Sequence, residues 1–174
     1  HQHSQFPQLY HLHFHQEETT GESFIGRECC GLIVERGNNN EWRVVSYPLE
    51  RMFGDDSNHA PAIDWKSCQA TEKLDGQTAI LYHYQNQWHV ASKYTADGSE
   101  IFPTNNRTDN DNNTQQETFA ALFWTMWKKL GYSNPPNTYS DCCFVFEILS
   151  TSHRMVMHYP QDRLVLVAER PLNQ

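Results

Sequence analysis

The 174 residues contain no apolar run long enough to cross a bilayer, and no secretory leader opens them, so an intracellular, cytoplasmic location is expected. The first residue is His rather than Met, which fits a processed, trimmed or fragmentary chain. Cysteine is scarce and poorly spaced for metal: there are five, four of them in the adjacent pairs Cys29-Cys30 and Cys142-Cys143, without a Cys-x-x-Cys. Neighbours in a strand point to opposite faces, so these pairs read as buried thiols in a reducing compartment, not as vicinal disulfides or zinc ligands. Basic residues are also in short supply, 13 Lys and Arg against 21 Asp and Glu, for a net charge of −8. That balance is wrong for broad phosphate binding; contact with nucleic acid must be confined to one basic groove or lie outside this chain. No internal repeat is present.

What the chain does have is aromatic and aliphatic mass: 38% hydrophobic residues, with five Trp, nine Phe and eight Tyr. This is enough for one domain with its own core. Residues 1–16 form a His-rich leader whose His11, His13 and His15 alternate along a strand; they read as a polar strand face or frayed terminus, with divalent-metal binding as the less favoured alternative. A strand is predicted over Arg27–Glu35, a hairpin turn at Gly37-Asn38-Asn39-Asn40, and a return strand over Trp42–Tyr47. Pro48–Gly54 is expected to form a short helical turn. An apolar strand at Ala62-Ile63-Asp64-Trp65 precedes Lys73, and Thr78–Tyr84 follows it. A hairpin at Gln85-Asn86-Gln87 returns through Trp88–Lys93. Residues 103–114, rich in Asn and Asp, read as a solvated loop or a disordered one.

One long helix follows. Thr114-Gln115-Gln116-Glu117 has the spacing of a capping box. Phe119, Leu122, Phe123, Met126, Trp127 and Leu130 fall on one face, and Gly131 ends the helix behind Lys128 and Lys129. Cys142–Leu149 is an apolar strand carrying a single acid, Glu147. Met155–Tyr159 and Leu164–Ala168, joined by Pro160-Gln161-Asp162, are predicted as a last hairpin. Hairpin-linked strands around one long helix give an α+β fold with antiparallel β-sheets.

Two residues stand out chemically. Lys73, followed at once by Asp75-Gly76, has the setting of a nucleophile at a pocket edge; read alone, Lys73-Leu74-Asp75-Gly76 is also a good turn. A nucleophilic lysine needs a neutral amine, obtained by burial or by neighbouring cations such as Lys93 or Arg51. Glu147 is an unpaired acid in an apolar strand, a costly placement unless it meets a cation or serves a function.

The order of these pieces resembles the ATP-dependent RNA ligases of the phage tRNA-repair type, within the covalent nucleotidyltransferases that include DNA ligases and capping enzymes. Lys73-Leu74-Asp75-Gly76 is similar to their K-x-D-G motif I, Ser92-Lys93 to motif Ia, and Phe144-Val145-Phe146-Glu147 to motif III. Upstream, Glu28-Cys29-Cys30-Gly31-Leu32-Ile33 and Pro48-Leu49-Glu50-Arg51-Met52-Phe53-Gly54 match two further family blocks. The segments His153–Met157 and Leu164–Leu166 match the strand pair after motif III. The resemblance spans residues 10–170.

It implies an adenylation domain of nucleotidyltransferase (ATP-grasp-like ligase) type, of which residues 1–174 are the N-terminal part. It further implies a lysyl-AMP intermediate on catalytic Lys73, and an ATP site of Glu72, Lys73, Asp75, Gly76, Arg27, Arg51, Phe53, Lys93 and Glu147. In it Lys93 contacts phosphate, Glu147 the ribose, and Phe53 covers the base or sugar. Mg²⁺ or Mn²⁺ is the implied metal, and RNA with 5′-phosphate and 3′-hydroxyl ends the implied partner. Two departures limit the resemblance. Cys30 stands where the family has a triphosphate-contacting Arg, with Arg27 or Arg51 as substitutes. Motifs IV and V are absent, so a missing C-terminal segment or a partner chain is expected to carry them. The rival expectations are a catalytically impaired nucleotide- or RNA-binding module, a DNA ligase or capping-type guanylyltransferase, and a structural domain with a coincidental K-x-D-G.

Overall fold

Strand segments of alternating or continuous apolar character assemble here into two antiparallel sheets. The computed structural model describes residues 1–13, 24–54, 56–101, 117–153 and 155–172. One sheet has three strands in the order β1 (Leu9–His13), β2 (Cys30–Arg36), β3 (Trp42–Ser46). The other has four, β4 (Gln77–Tyr84), β5 (Gln87–Ser92), β6 (Cys142–Leu149) and β7 (Arg163–Pro171), in the spatial order β5-β4-β6-β7. A short helix α1 (Phe24–Glu28) leads into β2, and the long helix α2 (Phe119–Lys129) follows β5. The fold is α+β, and no described helix is long and apolar enough to cross a membrane.

The four-stranded sheet is covered on both faces, which explains the nearly unbroken apolar run of β6. On one side Leu81, Val90, Phe144 and Phe146 pack with Phe119, Leu122, Phe123, Met126 and Trp127 of α2. On the other, Ile80, Tyr82, Ala91 and Cys143 pack with Leu9, Ile33 and Val45 of the three-stranded sheet. The three layers are thus helix, sheet, sheet. Gly31 makes the second contact close: at φ +95° its missing Cβ would lie 2.9 Å from Ile80 Cδ1.

The expected helix exists with a different start. Thr118, not Thr114, is the N-cap, its side chain accepting from the Ala121 N–H at 3.2 Å. Thr114 and its two neighbours, like the 103–114 loop, lie outside the described residues. The other end is a Schellman closure: Tyr132 N–H donates to Trp127 O at 3.1 Å and Gly131 N–H to Lys128 O at 3.0 Å, with Gly131 at φ +75°.

Both asparagine-bearing hairpins form, with Asn40, Gln85 and Asn86 at positive φ. Four local expectations fail. Arg27 and Glu28 belong to α1, so the strand starts only at Cys30. Pro48–Gly54 is irregular and not helical. Ala62–Trp65 is no strand: Asp64 accepts from Lys66 N–H at 3.1 Å and Ser67 Oγ–H at 2.7 Å, and this local bonding closes an exposed turn. Residues 155–159 form a loop, and β7 pairs with β6 instead.

Candidate functional site

The register of β4 on β6 builds the floor of the site. Thr78 lies opposite Glu147 and Ile80 opposite Val145, so these four side chains stand in two adjacent rows on the face turned toward the three-stranded sheet. Ile80, Val145 and Thr78 line a cavity of about 360 Å³, within the range of small-ligand sites. Cys30 at the start of β2 and the irregular strap Pro48–Met52 close it from the other side, and Lys73, before β4, and Lys93, after β5, reach it from the open end of that hairpin. Arg51, Lys73 and Lys93 thus share one cavity with a single acid, Glu50. In a chain of net charge −8, this is a local concentration of positive charge.

The strap is held from both flanks. The Arg170 guanidinium stacks on Tyr47 at 3.5 Å, donates to Pro48 O at 3.4 Å, and lies 3.7 Å from Glu50. On the opposite flank, Arg51 N–H donates to Arg27 O at 3.0 Å. Phe53 sits between two guanidiniums, 5.3 Å from Arg27 and 5.1 Å from Arg51, and 5.5 Å from the His59 ring. Arg27 contacts His59 Nδ1 at 3.2 Å. Arg27 and Phe53 therefore support Arg51 from outside the cavity wall.

Lys73 is exposed and not buried, so its cationic neighbours in the cavity, not burial, define its surroundings. The turn after it is over-determined. The Asp75 carboxylate accepts from Val156 N–H at 2.8 Å and Met157 N–H at 2.5 Å, and Asp75 N–H donates to Tyr159 Oη at 2.9 Å. Those amide bonds, the Met157 one foremost, hold the Asp75 carboxyl below its usual range. Gly76 N–H donates to Glu147 Oε1 at 3.1 Å. A Cβ on Gly76 would meet Ile148 O at 2.3 Å, so only glycine lets the turn lie this close to β6.

Glu147 is half-buried. Burial pushes its carboxyl up, against the hydrogen bonds from Thr78 Oγ1 (3.2 Å) and Gly76 and the nearby Lys73 charge. Each oxygen accepts one protein hydrogen bond and keeps a free lone pair for a ligand hydroxyl. Burial likewise pushes the Cys30 thiol up, countered by the charges of Lys93 and Arg51, which line the same cavity.

Of the site residues read from sequence, Lys73, Arg51 and Lys93 line the cavity; Asp75, Gly76 and Glu147 lie outside the lining, Glu147 being joined to it by its hydrogen bond with the lining residue Thr78. Glu72 is exposed and outside the lining. Sequence reading missed Thr78, Tyr159 and the Val145–Ile80 floor. Thr78 carried a signal, being a polar residue two positions beyond Gly76 on the same strand face; Tyr159 carried none. The leading histidines are not a polar face: His11 is a core residue, and burial holds its imidazole down to about 4. His15 lies outside the described residues, and among those described no three His, Cys, Asp or Glu converge on a metal position. The cysteines are free thiols, with Cys142 and Cys143 buried but Cys68 exposed.

No protein-family model matches the chain. It is similar to an RNA ligase of Rhodothermus phage RM378, 25% identical over 173 residues covering 83% of this chain and 37% of that protein. It is also similar to a protein of Autographa californica nuclear polyhedrosis virus with the provisional name bifunctional polynucleotide kinase/RNA ligase, 24% identical over 151 residues, 78% of this chain and 20% of that one. The chain therefore spans well under half the length of these curated relatives.

Proposed function

We propose that this chain carries the nucleotide-binding core of an ATP-dependent RNA ligase, a covalent nucleotidyltransferase with Lys73 as its nucleophile. The observation that supports this most is the meeting of Lys73, Lys93 and Arg51, from three separate stretches, in one cavity whose lining residue Thr78 hydrogen-bonds Glu147. In the reaction, deprotonated Lys73 Nζ attacks the α-phosphorus of ATP. The Nζ–P bond forms, the bond to the bridging oxygen breaks, and pyrophosphate leaves. Arg51 and Lys93 offset charge on the phosphates, and Glu147 accepts from a ribose hydroxyl. Phe53 and Arg27 fix Arg51; Asp75 and Gly76 fix the turn that aims Lys73, beside Glu72. AMP then passes to an RNA 5′-phosphate, and a 3′-hydroxyl attacks that end and releases AMP.

Mg²⁺ or Mn²⁺ suits this site as an ion held through the triphosphate, since the cavity offers cations and one acid and no ready carboxylate cage. Such an ion neutralises phosphate charge when bound. Incubation with ATP labelled in the α-phosphate should leave label on the chain, and Lys73→Ala should abolish it; label undiminished in that variant refutes the assignment. GTP or NAD labelling in place of ATP would instead indicate a capping-type or DNA ligase chemistry. A second reading is favoured by Cys30, a neutral thiol where the resemblance has Arg: a nucleotide-binding module with impaired chemistry. ATP bound without covalent label supports it.

A further inference from the structure

The outward face of the three-stranded sheet has a composition unlike the rest of this acidic chain. Tyr10, Val34 and Val44 lie in one row across β1, β2 and β3, Leu12 and Leu32 in the next, and Arg36 and Trp42 in a third. The residues between them, Leu9, Ile33 and Val45, point inward and are buried. Trp42 is 57% exposed and Val44 40%, so this face is open where its inner counterpart is core.

The two rings meet edge to face at 5.5 Å, and the Arg36 guanidinium lies over the Trp42 ring at 5.9 Å. Arg36 donates to the neutral Asn40 Oδ1 at 2.7 Å, and among the described residues no carboxylate pairs with it. Glu35 alternates to the opposite side, where it takes Arg43 at 2.7 Å and Tyr84 at 2.6 Å. In these three rows the face therefore presents two aromatic rings, an aliphatic floor and one cation, with no carboxylate. Trp42 and Val44 also line a groove of about 660 Å³ beside β3, holding one base, Arg43, and one acid, Asp141.

We propose that this face is a stacking platform for single-stranded RNA, a reading that rests on the RNA ligase function proposed above. Every nucleobase offers a π-face, and rings flanked by arginine bind unpaired strands with little sequence preference. The absence of acid from these described strand rows is what sets RNA above a generic protein partner. The platform lies away from the chemistry: Cys30 at the cavity and Arg36 on the platform are the two ends of β2, roughly 20 Å apart at 3.3 Å per residue. It would hold the strand away from the end being joined, adding affinity without entering the reaction.

The test is fluorescence anisotropy with a short fluorescein-labelled single-stranded RNA of mixed sequence, on variants whose melting confirms folding. Trp42→Ala should weaken binding about tenfold, the loss of one stacked base, while Trp42→Phe retains most of it. Arg36→Gln should weaken binding at low salt and flatten its salt dependence. Labelling by ATP should be the same in all three. The platform is refuted by RNA affinity unchanged in both Trp42→Ala and Arg36→Gln, by no RNA binding at all, or by sedimentation showing that Trp42→Ala abolishes only self-association. If Trp42-dependent RNA binding persists but Lys73 takes no label, the ligase reading fails and the platform stands.

Discussion

Replacing Gly76 by alanine probes the contact on which the Lys73 turn depends. The new Cβ would sit 2.3 Å from Ile148 O, 2.7 Å from Leu149 Cδ2 and 3.0 Å from Glu147 Cγ, where ordinary contacts begin at 3.4 Å. The nearest obstacle is main chain within a paired strand, so the turn itself must withdraw, by roughly 1 Å, the difference between those distances. Overpacking of this kind costs about 1–3 kcal/mol. For a chain of this length each kcal/mol lowers Tm by about 2–4 °C, so a fall of about 2–12 °C is expected by circular dichroism melting. The withdrawal also stretches the Gly76–Glu147 hydrogen bond and moves Lys73, and a misplacement near 1 Å is enough to slow a positioned reaction about 100-fold. Adenylylation measured with labelled ATP should therefore fall by more than the small loss of folded protein at 25 °C explains. A Gly76→Ala variant with wild-type melting and wild-type labelling would refute this account of the turn.

Asp75→Ala removes the acceptor for the Val156 and Met157 amides, so both should exchange with solvent faster and the 155–159 loop should be cut sooner in limited proteolysis; unchanged exchange refutes the tether. Glu147→Gln should leave stability at neutral pH unchanged or raised while ATP binding drops. Burial raises the folded carboxyl above its unfolded value, so the ionised form is the costly one, and that cost grows as the pH rises through the folded value. Equal ATP affinity in the variant contradicts the ribose role. His11 titrates near 6.5 when unfolded and at about 4 when folded, so the unfolded chain binds the proton first. Stability should fall as the pH drops from 6.5 toward 4, by about 3 kcal/mol in the limit. Urea melts of His11→Leu should lack that component, and an identical pH dependence would contradict it.

Local pattern was a good guide wherever one element satisfies itself. The α2 stripe, the asparagine turns and the apolar β6 run each follow from periodicity or turn chemistry that a distant segment does not alter. It misled where a distant group took over. Met155–Tyr159 has strand-like composition, but Asp75 captures two of its amides and β7 occupies the β6 edge. Ala62–Trp65 reads as apolar strand, yet Asp64 closes it locally. The candidate site was legible only as residue types in order: Glu147 is the one acid of an apolar strand, and Lys73 and Lys93 flank β4 and β5. How they combine was not: Thr78 pairing with Glu147 is a matter of register, and the Arg27–Phe53–Arg51 stack arises only when α1 meets the strap.

The central claim is that Lys73 receives AMP in this cavity. Incubation with ATP and Mg²⁺, followed by proteolysis and peptide mass mapping, addresses it directly. An AMP adduct confined to the peptide bearing Lys73, and lost in Lys93→Ala or Arg51→Ala as the cavity predicts, is the expected result. An adduct on another lysine, or on Lys73 at an undiminished level in both of those variants, would contradict it.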